Sequence, residues 1–279
     1  MNGWTGRCLR VNLSENDFQT EEIPQELMER FLGGRGLGAK VLSNEMDPQV
    51  DPLSPDSKII FVSGPLVGTG AVTGASCNVV TKSALSGTIA CAKMRGHFGA
   101  ELKFAGFDMI IVEGKADSPV ILSILDDKIN IQPAPEYWGR TTSQTEDLFL
   151  RSLSDQWAAR ETYLLSIGPA GEKLVPLANI VNDGFLSVGG AGIGAVMGSK
   201  NLKAIAVKGS HSVTVAYGFN RADWSYIPGG AVSGTGIIRP DFPELKEWPY
   251  FWQQTEYVMG GGASNFMFLV LAAQDLMRE

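Results

Sequence analysis

A glycine-rich stretch from Gly184 to Lys203 is the part of the sequence whose residue types best suit ligand binding. Its sequence is GFLSVGGAGIGAVMGSKNLK. An apolar run at 174–181 precedes it, residues 192–203 can form a helix, and 204–207 are apolar and strand-like. A glycine turn that opens a helix offers N–H groups and the positive end of a dipole, which together suit a phosphate.

Three interpretations of this turn remain open. The segment Gly190–Gly194 echoes a dinucleotide-binding fingerprint, but its spacing is GxGxG and no acidic residue ends a strand about 20 residues later. A phosphate-bearing cofactor held by several loops is the second interpretation. The third is a tight turn with close backbone packing, because glycine accepts positive φ and leaves room for a neighbouring chain.

The composition excludes several classes of protein. The chain has 279 residues and a net charge of −7, which argues against a nucleic-acid-binding surface. Its three cysteines, Cys8, Cys77 and Cys91, are widely spaced, and neither zinc nor iron–sulfur spacing is present. Two histidines leave little scope for a histidine-rich metal site.

Cysteine usage and hydropathy bear on the location of the protein. An odd number of cysteines and no signal peptide favour a reducing cytoplasm. The apolar run at 266–273 is too short to cross a membrane. We therefore expect a cytoplasmic protein without a membrane span.

Hydrophobic periodicity predicts many strands and few helices, which is typical of an α+β fold with mixed or antiparallel sheets. Glycine turns are expected at 33–38 and 168–171, and a hairpin at 120–132. The expected helices lie at 24–32, 39–46, 99–105 and 145–160, and the expected strands at 7–13, 58–63, 78–81, 87–92, 108–113, 120–125, 128–132 and 163–167.

The sequence changes character near residue 210. Residues 211–279 contain scattered Trp, Tyr and Pro without a clear period until an apolar helix candidate at 266–277. We predict an ordered domain at 1–210 and an aromatic, Gly- and Pro-rich tail at 211–279. The tail is either an unpacked appendage or a segment that docks on a partner.

Seven long blocks follow one another between Gly3 and Gly209: GWTGRCLRVNL, FLGGRGLGAKVL, DPLSPDSKIIFVSGPLVGTGA, NVVTKSALSG, FGAELKFAGFDMIIVEGKADSPV, SIGPAGEKLVPLANIVNDG and GAVMGSKNLKAIAVKG. In this order they resemble the N-terminal domain of the aldehyde ferredoxin oxidoreductases. This resemblance implies two mixed β-sheets with flanking helices, which carry a tungsten or molybdenum bis-pterin cofactor with Mg²⁺. It also implies the family's activity, which oxidises aldehydes to carboxylic acids and passes electrons through a [4Fe-4S] cluster to ferredoxin.

The resemblance also implies that the family's cluster cysteines, substrate pocket and catalytic acid or base lie in later domains. Those domains have no counterpart in this sequence, so no catalytic residue and no [4Fe-4S] cluster are assigned to this chain. Parts of the tail are similar to the family's C-terminal region in a changed order. Two hypotheses follow: an oxidoreductase fragment or subunit, or a degenerate, non-catalytic domain that binds a partner. Ferredoxin or a complementing subunit is the expected partner, and we expect an oligomer.

Four positions implied by the resemblance lie near the NVVTK strand and the main glycine stretch. Family arginines that bind cofactor phosphate are replaced by Ser76 and Leu186. Ser187 follows, where the family uses a backbone carbonyl to hold Mg²⁺, and Gly189 begins the glycine turn. Because an arginine fork matches a phosphate and neither Ser nor Leu does, we expect weak or absent cofactor binding.

Lys93, Met94 and Arg95 occupy the family's Asn-Ser-Gly turn, whose asparagine helps to hold Mg²⁺. Lys93 and Arg95 either compensate for the missing arginines by neutralising a diphosphate without a metal, or form a solvated turn. Arg35, in the turn GGRGLGAK, is either a further anion ligand or a helix-cap arginine.

For the remaining residues that could bear chemistry, the sequence favours a structural role. For His97, packing is favoured over catalysis. Cys77 and Cys91 are interpreted as buried thiols in short strands. Glu101 and Lys103 flank an apolar helix face, and we expect both to point to solvent.

Overall fold

The computed structural model describes residues 2–69 and 74–214, which form two six-stranded sheets and seven helices. The strands are β1 Arg7–Asn12, β2 Asp17–Glu22, β3 Ile59–Val62, β4 Cys77–Lys82, β5 Ile89–Met94, β6 Met109–Glu113, β7 Val120–Leu125, β8 Lys128–Pro133, β9 Tyr163–Ile167, β10 Ile180–Asn182, β11 Leu186–Val188 and β12 Leu202–Lys208. The helices are α1 Gln25–Phe31, α2 Gly34–Glu45, α3 Phe98–Phe104, α4 Thr142–Ser152, α5 Gln156–Glu161, α6 Pro169–Glu172 and α7 Ile193–Ser199.

Both sheets are mixed. The first sheet has the order β2-β1-β6-β3-β4-β5, in which only the β1–β6 pair is parallel. The second has the order β11-β10-β9-β12-β7-β8, with β12 and β7 parallel. This arrangement confirms the predicted α+β class with two mixed sheets and flanking helices.

The main core lies between the two sheets, where α3 and α7 are buried on all sides. Phe98 and Leu102 of α3 and Val196 of α7 pack with inward side chains from both sheets. Helices α1 and α2 cover the outer face of the first sheet, and α4 covers the second. The sheets alternate their apolar side chains between two layers, as pleated strands do.

Several expectations about local structure differ from the structure. The expected glycine turn at 168–171 contains helix α6, and only the last two residues of the apolar run at 174–181 belong to a strand, β10. The predicted turn at 33–38 is instead the start of α2, which begins at Gly34. The single helix predicted at 145–160 is divided into α4 and α5, because Asp155 accepts a hydrogen bond from the Trp157 N–H and caps a new helix. Strand β2 was not predicted, since its sequence DFQTEE is polar and mostly exposed.

The expectation that Glu101 and Lys103 point to solvent is wrong. Lys103 is fully buried, with its Nζ 2.9 Å from Asp108 Oδ1, and it also donates to the Gly3 carbonyl. Glu101 accepts the N–H of Gly209 at 3.0 Å. Each charge is buried because a partner compensates for its lost hydration.

The predicted tail at 211–279 lies mostly outside the described residues. The described part, 211–214, packs on the domain: Val213 is buried with Ala100 and Phe104. The N–H of Gly3 donates to the Thr214 carbonyl at 2.7 Å. None of the described helices combines the length and apolar character that a membrane crossing requires. The domain boundary near 210 and the character of the tail remain predictions.

Candidate functional site at the adjoining edges of the two sheets

Strands β4 and β5 bring the first group of predicted site residues together. Cys77 pairs with Met94 in the antiparallel register, so Ser76, which precedes β4, and Arg95, which follows β5, extend from the same end of this strand pair. Met94 is buried in the main core, whereas Lys93 and Arg95 are exposed. Because side chains alternate along a strand, Lys93 and Arg95 lie on the face opposite to Met94. Their side chains form no ion pair with any residue that the structure describes.

The second group lies on strand β11, at the edge of the second sheet. A Cβ atom at Gly96 would lie 2.9 Å from Leu186 Cδ1, which places Leu186 directly against the turn that follows β5. Ser187 is exposed, and its hydroxyl accepts a hydrogen bond from Asn179 Nδ2 at 2.9 Å. The structure therefore brings Arg95 and Leu186 together, at the point where the edges of the two sheets adjoin.

Hydrogen bonds join the turn that follows β5 to the hairpin between β10 and β11. Asn182 Nδ2 donates to the Arg95 carbonyl. The backbone N–H of His97 donates to Asp183 Oδ2 at 2.8 Å, and His97 Nδ1 lies 2.9 Å from the same oxygen. The His97 ring also stacks on Tyr163, with 4.4 Å between ring centroids. His97 thus packs, as predicted, but it also joins the two sheets through a carboxylate.

Asn182 and Asp183 were not identified from the sequence, although they belong to the block SIGPAGEKLVPLANIVNDG. Asn182 is fully buried, and Asp183 has a positive φ of 49° in the hairpin between β10 and β11. Asn and Asp tolerate this left-handed region better than other non-glycine residues. This tolerance, combined with short polar side chains, is the sequence signal that could have identified the pair.

The glycine turn from Gly189 to Gly194 is closely packed against the chain around Asn179. A Cβ atom would lie 1.7 Å from Asn179 Oδ1 at Gly189, and 2.5 Å from the Asn179 carbonyl at Gly194. The N–H of Gly190 donates to Asn179 Oδ1, and that of Gly194 to the Ala178 carbonyl. These contacts favour the close-packing interpretation of the turn.

The dinucleotide interpretation is contradicted by the topology. Strand β11 is antiparallel to β10, β10 to β9, and β9 to β12, so β11 and β12 run in opposite directions. A dinucleotide-binding unit joins parallel strands through its helix. The one open position in the turn is Gly190, where a Cβ would meet no described atom within 4 Å.

Two acidic residues, Asp183 and Glu146, lie at the β10–β11 hairpin. A Cβ at Gly184 would lie 2.7 Å from Glu146 Oε2, so α4 brings a carboxylate to the same hairpin. Burial raises the pKa of Glu146, and the charge of Asp183 adds to this rise. Burial likewise raises the pKa of the Cys77 thiol, again with a contribution from Asp183. The Oδ1 atoms of Asn182 and Asp183 are buried without a hydrogen-bond partner among the described residues.

Arg35 lies in the first turn of α2, not in a glycine turn, and its side chain is exposed. Its charge lowers the pKa of the Cys91 thiol, although burial has the larger, opposite effect. Cys91 stands two residues before Lys93 on β5, so Arg35 is a third cation on this side of the first sheet. Within the described residues, no group of three or more His, Cys, Asp or Glu side chains is placed to hold a metal ion.

Comparison with known proteins identifies relatives that are similar to this chain in sequence. The chain is 52% identical to the tungsten-containing aldehyde ferredoxin oxidoreductase of Pyrococcus furiosus over 216 residues, and 50% identical to that of Thermococcus kodakarensis. It is also 34% identical over 228 residues to a P. furiosus protein named aliphatic sulfonate oxidoreductase, WOR-like subunit. These matches cover 77% or 78% of this chain but only 35% or 36% of each relative.

A solved structure and a family model agree with these relatives. The active site complex BamBC of benzoyl coenzyme A reductase, solved with 1,5-dienoyl-CoA, matches with a TM-score of 0.71 and 35% identity. That match covers 75% of this chain and 31% of the solved chain. The family model for the aldehyde ferredoxin oxidoreductase N-terminal domain matches residues 8–209. The chain therefore belongs to the aldehyde ferredoxin oxidoreductase family and contains the N-terminal domain of that family.

Proposed function

We propose that this domain serves as the pterin-facing part of an oxidoreductase that converts aldehydes to carboxylic acids. The observation that supports this role is the hydrogen bond from Asn182 to the Arg95 carbonyl, which ties exposed Arg95, two residues after exposed Lys93, to the β10–β11 hairpin. The chain spans about a third of the length of the curated relatives it matches. The substrate pocket and the cluster that passes electrons to ferredoxin are assigned to the part of the family's length that this chain does not span.

The residues at the adjoining edges fit an anionic, phosphate-bearing cofactor. Lys93 and Arg95 have no ion-pair partner among the described residues, and Ser76 offers a hydroxyl at the end of the neighbouring strand. Ser187 offers a backbone carbonyl to Mg²⁺, which prefers oxygen ligands. When bound, the tungsten or molybdenum pterin group supplies a centre that accepts two electrons from the substrate.

Affinity for that cofactor is expected to be lower than in the relatives. Leu186 packs against Gly96 and donates no hydrogen bond from its side chain. A charge-assisted hydrogen bond to phosphate contributes about 1.5–3 kcal/mol. Two such contacts, at Ser76 and Leu186, are missing, so binding weakens by roughly 10²–10⁴-fold before Lys93 and Arg95 recover part of the loss.

Metal and pterin analysis of the purified chain tests this proposal, with the protein made in a host that supplies the cofactor. We expect substoichiometric pterin in the unaltered chain and higher occupancy in Ser76→Arg with Leu186→Arg. Lys93→Ala with Arg95→Ala is expected to remove the residual pterin. The matched control, Lys128→Ala with Arg151→Ala, also removes two exposed cations but lies elsewhere. Occupancy that none of these changes alters would contradict the proposed site.

A non-catalytic, partner-binding domain is the second candidate function. The observation that favours it is the exposure of large apolar side chains near this site, including Phe185 at 80% and Leu177 at 65%. Apolar surface of this kind marks interaction sites in soluble proteins. A chain that contains no pterin after either pair of substitutions, yet still forms a stoichiometric complex with a complementing subunit, would favour this candidate.

A further inference from the structure

Two side chains of the β10–β11 hairpin hold the turn that follows β5, and neither has been assigned a contact with a ligand. We propose that Asn182 and Asp183 are positioning residues, which hold the Arg95–His97 turn so that Lys93 and Arg95 present their charges to one diphosphate group. This inference rests on the proposed function and deepens it. Asn182 acts through the Arg95 carbonyl, and Asp183 acts through the backbone N–H and the Nδ1 atom of His97.

The backbone between the two fastened residues is adapted to this contact. Gly96 has a φ of +95°, a value that residues with a side chain rarely adopt. A Cβ atom at Gly96 would lie 2.2 Å from Asp183 Oδ2 and 2.6 Å from Asn182 Nδ2. The turn therefore reaches the Asn182–Asp183 pair only because residue 96 is glycine.

These contacts restrict the backbone from which the Arg95 side chain extends. The Arg95 carbonyl is held by Asn182, and the next two residues are held by close packing and by Asp183. Stacking of His97 on Tyr163 fixes the far end of the turn to the second sheet. A preorganised cation loses less conformational entropy when it binds an anion, so fastening this turn increases affinity.

Because Asp183 carries a negative charge, the direction in which its replacement changes pyrophosphate affinity tests the proposal. The Asp183 side chain is 9% exposed, so its carboxylate acts through a medium of low dielectric constant. As a bare negative charge beside the turn that carries Arg95, it would repel a diphosphate, and its removal would strengthen binding. As a positioning residue, it holds the cations in place, and its removal weakens binding. The two roles therefore predict opposite changes.

The test measures inorganic pyrophosphate binding to the full chain by titration calorimetry at several salt concentrations. Asp183→Asn keeps the size and the tolerance for positive φ but removes the charge that His97 contacts. We expect about 3–10-fold weaker binding, because a charge-assisted hydrogen bond becomes a neutral one. We also expect a shallower salt dependence, since a displaced Arg95 no longer contributes to a screened interaction. Gly96→Ala, which separates the turns sterically, is expected to have the same two effects.

Asp126→Asn is the matched control, because Asp126 also has a positive φ, of 53°, in a hairpin turn that joins β7 to β8. It should leave pyrophosphate affinity within about twofold of the unaltered chain, as expected for a remote site. Thermal unfolding of each variant separates lost affinity from lost folding. The salt dependence of the affinity serves as the second measurement, because general destabilisation does not change the number of cations at the site.

Several outcomes would overturn the positioning role. Equal or tighter pyrophosphate binding by Asp183→Asn contradicts it, as does an unchanged salt dependence. Pterin that is lost in Lys93→Ala with Arg95→Ala but retained in Asp183→Asn overturns the positioning role and leaves the proposed function intact. Pyrophosphate binding that depends on Asp183, in a chain that never acquires pterin, refutes the proposed function and supports the positioning role. An unaltered chain that binds neither ligand overturns both.

Discussion

Replacement of Lys200 by methionine should change how the stability of this domain depends on pH. Lys200 follows α7, its side chain is fully buried, and its Nζ donates to the carbonyl oxygens of Ser57 at 2.5 Å and Gly114 at 3.1 Å. Burial lowers its pKa from 10.5 to about 8. Because the pKa is lower in the folded protein than in the unfolded chain, folding favours the neutral amine.

The sign of the effect follows from proton linkage. Between about pH 8 and pH 10.5 the unfolded chain binds the proton more strongly, so this group makes the protein more stable as pH rises. One pKa unit corresponds to about 1.4 kcal/mol, which gives an upper limit of about 3 kcal/mol over the window. The carbonyl oxygens favour the ammonium and reduce this value, so we expect about 1–3 kcal/mol.

Urea unfolding of the unaltered chain and of Lys200→Met, at about pH 7 and about pH 11, measures this effect. The free energy of unfolding of the unaltered chain, relative to that of the variant, should increase at the higher pH by about 1–3 kcal/mol. Contributions from ionisable groups that are present in both proteins cancel in this difference. Lys115→Met, at an exposed lysine that follows β6, is the control and should show no such change. A relative stability that is constant, or that falls with pH, would refute the reasoning and show that the carbonyl contacts outweigh burial.

Three further predictions concern the chain as a whole. Alone, it should not oxidise aldehydes with a viologen acceptor, since the family resemblance assigns the cluster and pocket to other domains; turnover by the homogeneous chain would contradict this. Limited proteolysis should leave a core that extends to at least Thr214, whose carbonyl binds Gly3; a tail at 215–279 as resistant as the core would show that it packs. Cys77, buried and with a raised pKa, should react with thiol reagents more slowly than half-buried Cys91; equal rates would contradict this.

Periodicity predicted those strands whose burial alternates or is complete. Strand β3 is entirely buried and β7 nearly so, and apolar runs of this kind indicate core strands. Strand β2 was missed because it lies at the edge of the first sheet with polar side chains exposed, and its backbone pairing with β1 leaves no hydrophobic signal. Tertiary pairing, which local sequence does not encode, creates that strand.

Glycine was the least predictable residue in this chain. Gly34, Gly36 and Gly38 suggested a turn, yet they lie in α2, and a Cβ at Gly38 would lie 2.7 Å from Val80 Cγ2. Close contact between helix and sheet requires glycine there, although glycine disfavours a helix by about 1 kcal/mol. A sequence pattern cannot distinguish a glycine needed for φ from one needed for packing.

The structure locates the residues of the candidate site, whereas their role in cofactor binding stays a prediction. The resemblance selected Ser76, Arg95 and Leu186 from distant parts of the chain, and the structure places Arg95 close to the other two. It did not select Asn182 and Asp183, because their contacts run from one sheet to the other over more than 80 residues of sequence. The burial of Lys103 was likewise unpredictable, since it depends on Asp108, which lies beyond the end of α3.

The contact between Gly3 and Thr214 has a consequence for how the domain can be rearranged. The first and last described segments lie side by side, with the Gly3 N–H bonded to the Thr214 carbonyl and Lys103 bonded to the Gly3 carbonyl. Domains whose ends are adjacent generally tolerate circular permutation. A short linker joining these two points, with new ends after the exposed residue Asp127 at the β7–β8 hairpin tip, should therefore preserve the layered fold and leave the adjoining sheet edges undisturbed.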